Sequence, residues 1–191
     1  MKRSIISGIC IMGFVFMLSS CAHDQTNAVA RRLDSLDLYN IYKTNVIDLK
    51  SQSKCPSPPS VKLVNMETRN EDLLLAEIGG HTHYIKPKEL ANHIVDYISD
   101  ALGKCQVKVD GSSTKVIEVS IDKVGIIIEL FGAQGAGIQL RINIPETQYT
   151  KIYAAQDWSG ASTWTIMAYA IHLAIWKIID DPVIQSYILC K

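Results

Sequence analysis

The sequence carries no surplus of charge: 19 lysines and arginines stand against 19 aspartates and glutamates. Without a net field it has no means of drawing in nucleic acid or an anionic membrane, so neither is expected as an electrostatic partner. Long apolar runs are missing too. The stretch from Ile5 to Met17 falls short of the ~20 residues that a membrane-spanning helix needs, and Ser7 and Gly8 break it. Catalytic signatures are also lacking, with no G-x-S-x-G elbow and no H-E-x-x-H pair. The glycines of Gly132-Ala133-Gln134-Gly135-Ala136-Gly137 miss the G-x-G-x-x-G spacing and lead into a strand pattern, so no helix N-terminus follows to hold a phosphate. They read as a hairpin loop. Glu118 and Asp122 share one strand face but lie roughly 13 Å apart at strand spacing, too far for a cooperating carboxylate pair. The expectation is a protein that is no enzyme and holds no cofactor.

What the chain does contain is an address near its start. Lys2 and Arg3 precede the apolar stretch, and Leu18-Ser19-Ser20-Cys21 follows it. This order resembles a bacterial lipoprotein signal ending in a lipobox. The resemblance implies removal of residues 1–20, a diacylglycerol on the Cys21 thiol and an acylated new amino terminus. Lipid on Cys21 then makes the membrane the first partner, since two or more acyl chains anchor stably without a basic patch. Ala22 stands where inner-membrane lipoproteins often carry Asp, which is consistent with an outer-membrane address.

Losing Lys2 and Arg3 would leave acidic residues ahead by two, still a weak charge. Cys10 would leave with the signal and Cys21 would be taken by lipid. Cys55, Cys105 and Cys190 then remain in an oxidising compartment, which suggests one disulfide and one free thiol. Sequence alone leaves the pair open. If the first two strands of the domain are parallel, a right-handed strand-helix-strand unit puts their starts at one sheet edge, which favours Cys55 with Cys105.

Residues 21–59 read as a lipid-anchored tether with a marginal helix over 33–49, whose apolar positions Leu33, Leu36, Ile41, Tyr42, Val46 and Leu49 are expected to pack on the domain, closed by Pro56, Pro58 and Pro59; fully flexible, it would span roughly 35 Å. Residues 60–191 read as one α+β domain, a mainly antiparallel sheet of four to five strands packed by two helices in the order β-α-β-β-β-β-α. Val61–Met66 is the first strand and Glu67–Lys86 a long connection. Pro87 at a helix start, Glu89 in its first turn and the stripe Leu90, Ile94, Tyr97, Ile98, Ala101 and Leu102 mark the first helix. A short strand covers Cys105–Val109. In the next strand the apolar positions run Ile117, Val119, Ile121 and then switch parity to Val124, Ile126, Ile128. A bulge near Asp122 and Lys123, or burial on both faces, is required. Ile138, Leu140, Ile142 and Ile144 alternate cleanly with polar residues, and Gln148–Gln156 makes one more strand. The last helix runs from near Ser159 or Ser162 to Asp180. Thr165, Ala168, His172 and Asp180 share one sector of it, while large apolar residues cover the rest, more than one sheet can bury. Val183–Leu189 is left as a short apolar tail.

This order of elements resembles the YajG-like family of small bacterial envelope lipoproteins. The carrying features are the lipobox at Cys21, Ile85-Lys86-Pro87 at the helix start, the stripe ending Leu102-Gly103, the strand with Val107 and Val109, and the closing helix before Asp181-Pro182. The resemblance implies a noncatalytic outer-membrane lipoprotein facing the periplasm.

Three further groups are weighed. His81 and His83 share a strand face, with His93 in the first helix, but no spacing motif supports a metal and none is expected. Trp158, Trp164 and Trp176 are candidate partner-binding residues, since tryptophan is common at binding hot spots. The excess apolar surface of residues 164–179 suggests that the domain binds an envelope protein, or itself as a homo-oligomer, through the last helix. The alternative is a lipid- or small-molecule-binding auxiliary of an envelope transport system, with the same helix lining a cavity.

Overall fold

The computed structural model describes residues 22–36, 54–55, 58–78, 81–128, 134–158 and 162–190. The signal and Cys21 lie outside these residues, as does the whole of 37–53 and with it most of the helix expected over 33–49.

Alternating apolar residues build a five-stranded sheet. It consists of β2 (Ser60–Asn65), β5 (Lys108–Val109), β6 (Val116–Ile128), β7 (Gln134–Ile144) and β8 (Tyr149–Asp157), with β1, β3 and β4 elsewhere. Its order is β5-β2-β6-β7-β8. β2 runs parallel to both β5 and β6, whereas β6, β7 and β8 are antiparallel. The sheet is therefore mixed where a mainly antiparallel one was expected. On its inner face Ile117, Val119, Ile121, Ile138, Leu140, Ile142, Ile144, Tyr153 and Ala155 are buried. Two helices lie against it: α2 (Pro87–Lys104) on β2, β5 and β6, and α3 (Thr163–Ile179) on β7 and β8. The outer face stays wet, with Arg141, Thr150, Ile152 and Ala154 exposed.

The parity change in β6 is a bulge, with the register shifting between Ile121 and Lys123. A bulge orphans backbone groups, and these find partners in Glu67 and Arg69: the Ile121 N–H donates to Glu67 Oε2 at 3.3 Å, and Arg69 donates to the Ile121 carbonyl. Glu67 is buried and accepts from Arg69 Nε at 2.8 Å. Arg69's hydrogen bonds hold its carboxyl below the usual range against the opposing effect of burial. Asp122 pairs with Arg141 and Glu118 with Asn143, so the two acids on this strand have structural partners.

Three segments depart from the sequence reading. The connection after β2 contains a hairpin, β3 (Leu73–Ile78) with β4 (His81–Ile85). β7 begins inside the glycine-rich stretch, because the Trp158 ring lies 2.6 Å from where a Cβ on Gly135 would stand, and only glycine permits that approach. The apolar tail is a helix, α4 (Pro182–Ile188), capped by Asp181, whose Oδ1 accepts from the Val183 and Ile184 amides.

The largest correction falls on the tether. Residues 22–36 belong to the fold: β1 (Ala22–Asp24) pairs parallel with β4, and α1 (Thr26–Asp34) buries Thr26, Val29, Ala30 and Leu33. The second sheet has the order β1-β4-β3. α1 packs on α3 and α2, and it is the cover that α3 was expected to lack. With β7 and β8 on one side and α1 and α2 on others, Ile166, Met167, Ile171, Ile175, Ile178 and Ile179 are all buried within the chain. The apolar surplus of residues 164–179 thus goes to the protein's own core and no longer argues for a partner on this helix. The whole is a single α+β domain with two mixed sheets, neither closed into a barrel.

The disulfide joins Cys55 to Cys190, with Cα atoms 5.2 Å apart; the pairing of Cys55 with Cys105 is incorrect. Its premise holds, since β2 and β5 are parallel neighbours. Cys105, however, caps α2 three residues before β5, and its thiol is buried there. Cys55 instead meets the C-terminal residues, where the Lys54 N–H donates to the Leu189 carbonyl at 3.0 Å.

Candidate functional site

The site grows from β1, the first described strand, directly after Cys21. Its three residues pair as Ala22 with Thr82, His23 with His83 and Asp24 with Tyr84. Local chemistry then locks the strand to α1 and α2. Asp24 Oδ1 accepts from the Thr26 N–H at 2.9 Å, Thr26 Oγ1 accepts from the Lys86 N–H at 2.8 Å, and Lys86 Nζ stands 3.4 Å from Asp24 Oδ2. Thr26 is fully buried and Lys86 immediately precedes Pro87, so the start of the chain is tied to the start of α2.

Because side chains alternate along strands and β1 is in register with β4, His23, His81 and His83 fall on one face. The His23 ring centroid lies 5.4 Å from that of His81 and 5.9 Å from that of His83. Beyond them the Trp164 ring stands 5.2 Å from His83. Gln25 Nε2 is 3.3 Å from His83 Nδ1. Partial burial, together with the charges of His23 and His81, lowers the pKa of His83. The histidine pair seen in the sequence is therefore a trio, whose third member lay in what read as tether. Among the described residues no three histidine, cysteine or acidic groups are placed to hold a metal ion. His93 lies on α2, away from β4 in the chain.

The three tryptophans do not form one patch. Trp158 is 42% exposed and rests over Gly135 at the end of the sheet. Trp164 is half-buried beside His83, and Trp176, also half-buried, is roughly 18 Å further along α3 by helical rise. Near Trp164 an open cavity of about 300 Å³ is lined by Ala28, Arg31, Arg32, Ser35, Ser162 and Trp164. One end of the molecule thus collects the start of β1, three imidazoles, an indole and two exposed arginines.

A second arrangement, invisible at the level of sequence, surrounds Lys115. Its ammonium lies 2.8 Å from Cys190 Sγ and 3.7 Å from Cys55 Sγ, and donates to the carbonyls of Tyr187 at 2.6 Å and Ile188 at 2.9 Å. Nothing in its local spacing sets this lysine apart from any other that precedes a strand. Among the described residues no helix is long and apolar enough to cross a membrane.

No family model matches the chain, and no curated protein does. Among solved structures there is a likeness to the crystal structure of protein XCC0632 from Xanthomonas campestris, of family DUF330. The two are 12% identical, the match covers 71% of this chain and 90% of that one, and the TM-score is 0.46.

Proposed function

We propose that this chain is a noncatalytic envelope lipoprotein of the YajG-like type, held by lipid on Cys21 at the periplasmic face of the outer membrane, whose domain is seated against the bilayer and binds another envelope component. The observation that carries this reading is that β1 begins at Ala22 and is hydrogen-bonded into a sheet. Consecutive Cα atoms are ~3.8 Å apart, so a lipid on Cys21 enters the bilayer one residue's length from folded structure. A domain so attached has no leash. Its near end, with His23, His81 and Trp164, meets the headgroup layer, where an indole's apolar body and polar N–H both find a favourable place. Arg31 and Arg32 beside Trp164 suit lipid phosphates. The exposed outer face of the five-stranded sheet is the surface left for a protein partner.

Two measurements test this. Labelled palmitate is expected on the full chain and to vanish in Cys21→Ser, which would then leave the membrane fraction; an unlabelled wild-type chain overturns the anchor. For the seating, brominated lipids in vesicles are expected to quench tryptophan fluorescence of the lipidated chain. A flexible insertion of about 20 residues between Cys21 and Ala22 should relieve the quenching. Equal quenching with and without the insertion overturns it.

A further inference from the structure

The Lys115 ammonium stands against the disulfide. Among the described residues no carboxylate lies within ion-pairing distance of it, and its hydrogen bonds go to two carbonyls and towards two sulfurs. The Tyr187 ring lies on another side, 5.6 Å from centroid to nitrogen. Tyr187 itself donates to Glu146 Oε2 at 3.0 Å, and Glu146 acts on the ammonium through space without pairing with it. A charge placed this way is unfavourable while the sulfurs are neutral. It becomes a close ion pair once one of them is a thiolate.

We propose that Cys55–Cys190 is a thiol-exchange site, in which Lys115 holds Cys190 as the leaving thiolate when a dithiol protein of the envelope attacks Cys55. The partner's thiolate forms a bond to Cys55 Sγ, and the Cys55–Cys190 bond breaks with its electron pair going to Cys190 Sγ. The new anion pairs with the Lys115 ammonium. The partner's second thiol, deprotonated to solvent, then attacks the mixed disulfide and releases Cys55 as thiolate, which takes up a proton. Overall the partner dithiol is oxidised to a disulfide and the Cys55–Cys190 bond is reduced to two thiols.

The order of events follows from distance. Lys115 Nζ is nearer Cys190 than Cys55, and the thiol with the lower pKa leaves faster. Access comes from a cavity of about 310 Å³ lined by Cys55 and Cys190 together with Ser60, Asp110, Ser113 and Lys115. Desolvation lowers the lysine's own pKa, opposed by Glu146, and a neighbouring thiolate would reverse that.

The test compares the full chain with Lys115→Met and Lys115→Arg. Reduction by dithiothreitol is expected to slow about tenfold in Lys115→Met and to stay near wild type in Lys115→Arg. Brief treatment with reduced glutathione, followed by alkylation and peptide mapping, is expected to place glutathione on Cys55. Equal or faster reduction in Lys115→Met, or glutathione on Cys190, overturns the proposal. Should Lys115→Met fail to fold, the Cys55→Ser chain decides: its Cys190 thiol, followed by alkylation rate against pH, is expected to titrate below ~8.5, the ordinary thiol value. Titration at or above that value overturns it.

Discussion

At the scale of single residues the fold places polar groups where water does not reach. His172 lies in the middle of α3, 1% exposed, and shares a 2.8 Å hydrogen bond with the Tyr97 hydroxyl from α2. Burial, helped by the charge of Lys104, holds its pKa at about 4. In the unfolded chain it titrates near ~6.5. Between those values the unfolded state binds a proton that the native state refuses, so stability is full above pH ~6.5 and falls as the pH drops toward 4. The loss should approach about 3 kcal/mol, with a smaller contribution in the same direction from His83. Urea unfolding at pH 7, 5.5 and 4.5 measures it, and His172→Gln should flatten the slope. The sequence put His172 in the sector of α3 that it shares with Thr165, Ala168 and Asp180. That His172 meets Tyr97 of α2 was not readable, since helical periodicity ranks the faces of a helix without saying what covers each.

Among the elements, α1 and α3 depend on one another. α3 is apolar nearly all round, and α1, a helix of nine residues, closes the side that the sheet leaves open. Leu33 on α1 is fully buried. Leu33→Ala should cost about 2–5 kcal/mol by leaving a cavity against its neighbours. Light scattering checks the second consequence: as α1 loosens, α3 becomes exposed and the variant should self-associate where the wild-type domain does not. α3 was legible over nearly its whole length because its apolar pattern is long and Pro182 ends it. α1 was not, because its polar residues outnumber four buried ones and nine residues make a weak periodic signal. The β6 bulge shows the opposite case. A parity switch at Asp122 and Lys123 is a local event, so the sequence announced it, though not that Glu67 and Arg69 would satisfy its backbone.

At the scale of the whole molecule, one covalent link joins distant parts of the chain. Cys55–Cys190 spans a separation of 135 residues and ties the start of β2 to the C-terminus. A loop of that length is worth about 5 kcal/mol in the chain-entropy model, although native disulfides often contribute less. Cys190→Ser should therefore lower the denaturant midpoint and raise the denaturant slope, because the unfolded chain without the crosslink exposes more surface. The wild type treated with reductant should match it. At the other end β1 starts at Ala22, so the lipid proposed on Cys21 would set an orientation as well as an address.

The sequence by itself determined the bulge, α2 and its ends, the wet and dry faces of β7, and the extent of α3. All of these are written in spacings of a few residues, which the backbone reads out locally. Tertiary structure alone decided that β1 and α1 join the fold, that His23 completes a trio with His81 and His83, that Cys55 meets Cys190, and that Lys115 stands beside both sulfurs. Those contacts join residues about 60 to 135 positions apart. Which distant surfaces meet depends on how much apolar area each arrangement buries, and that is a property of the assembled core rather than of any stretch within it.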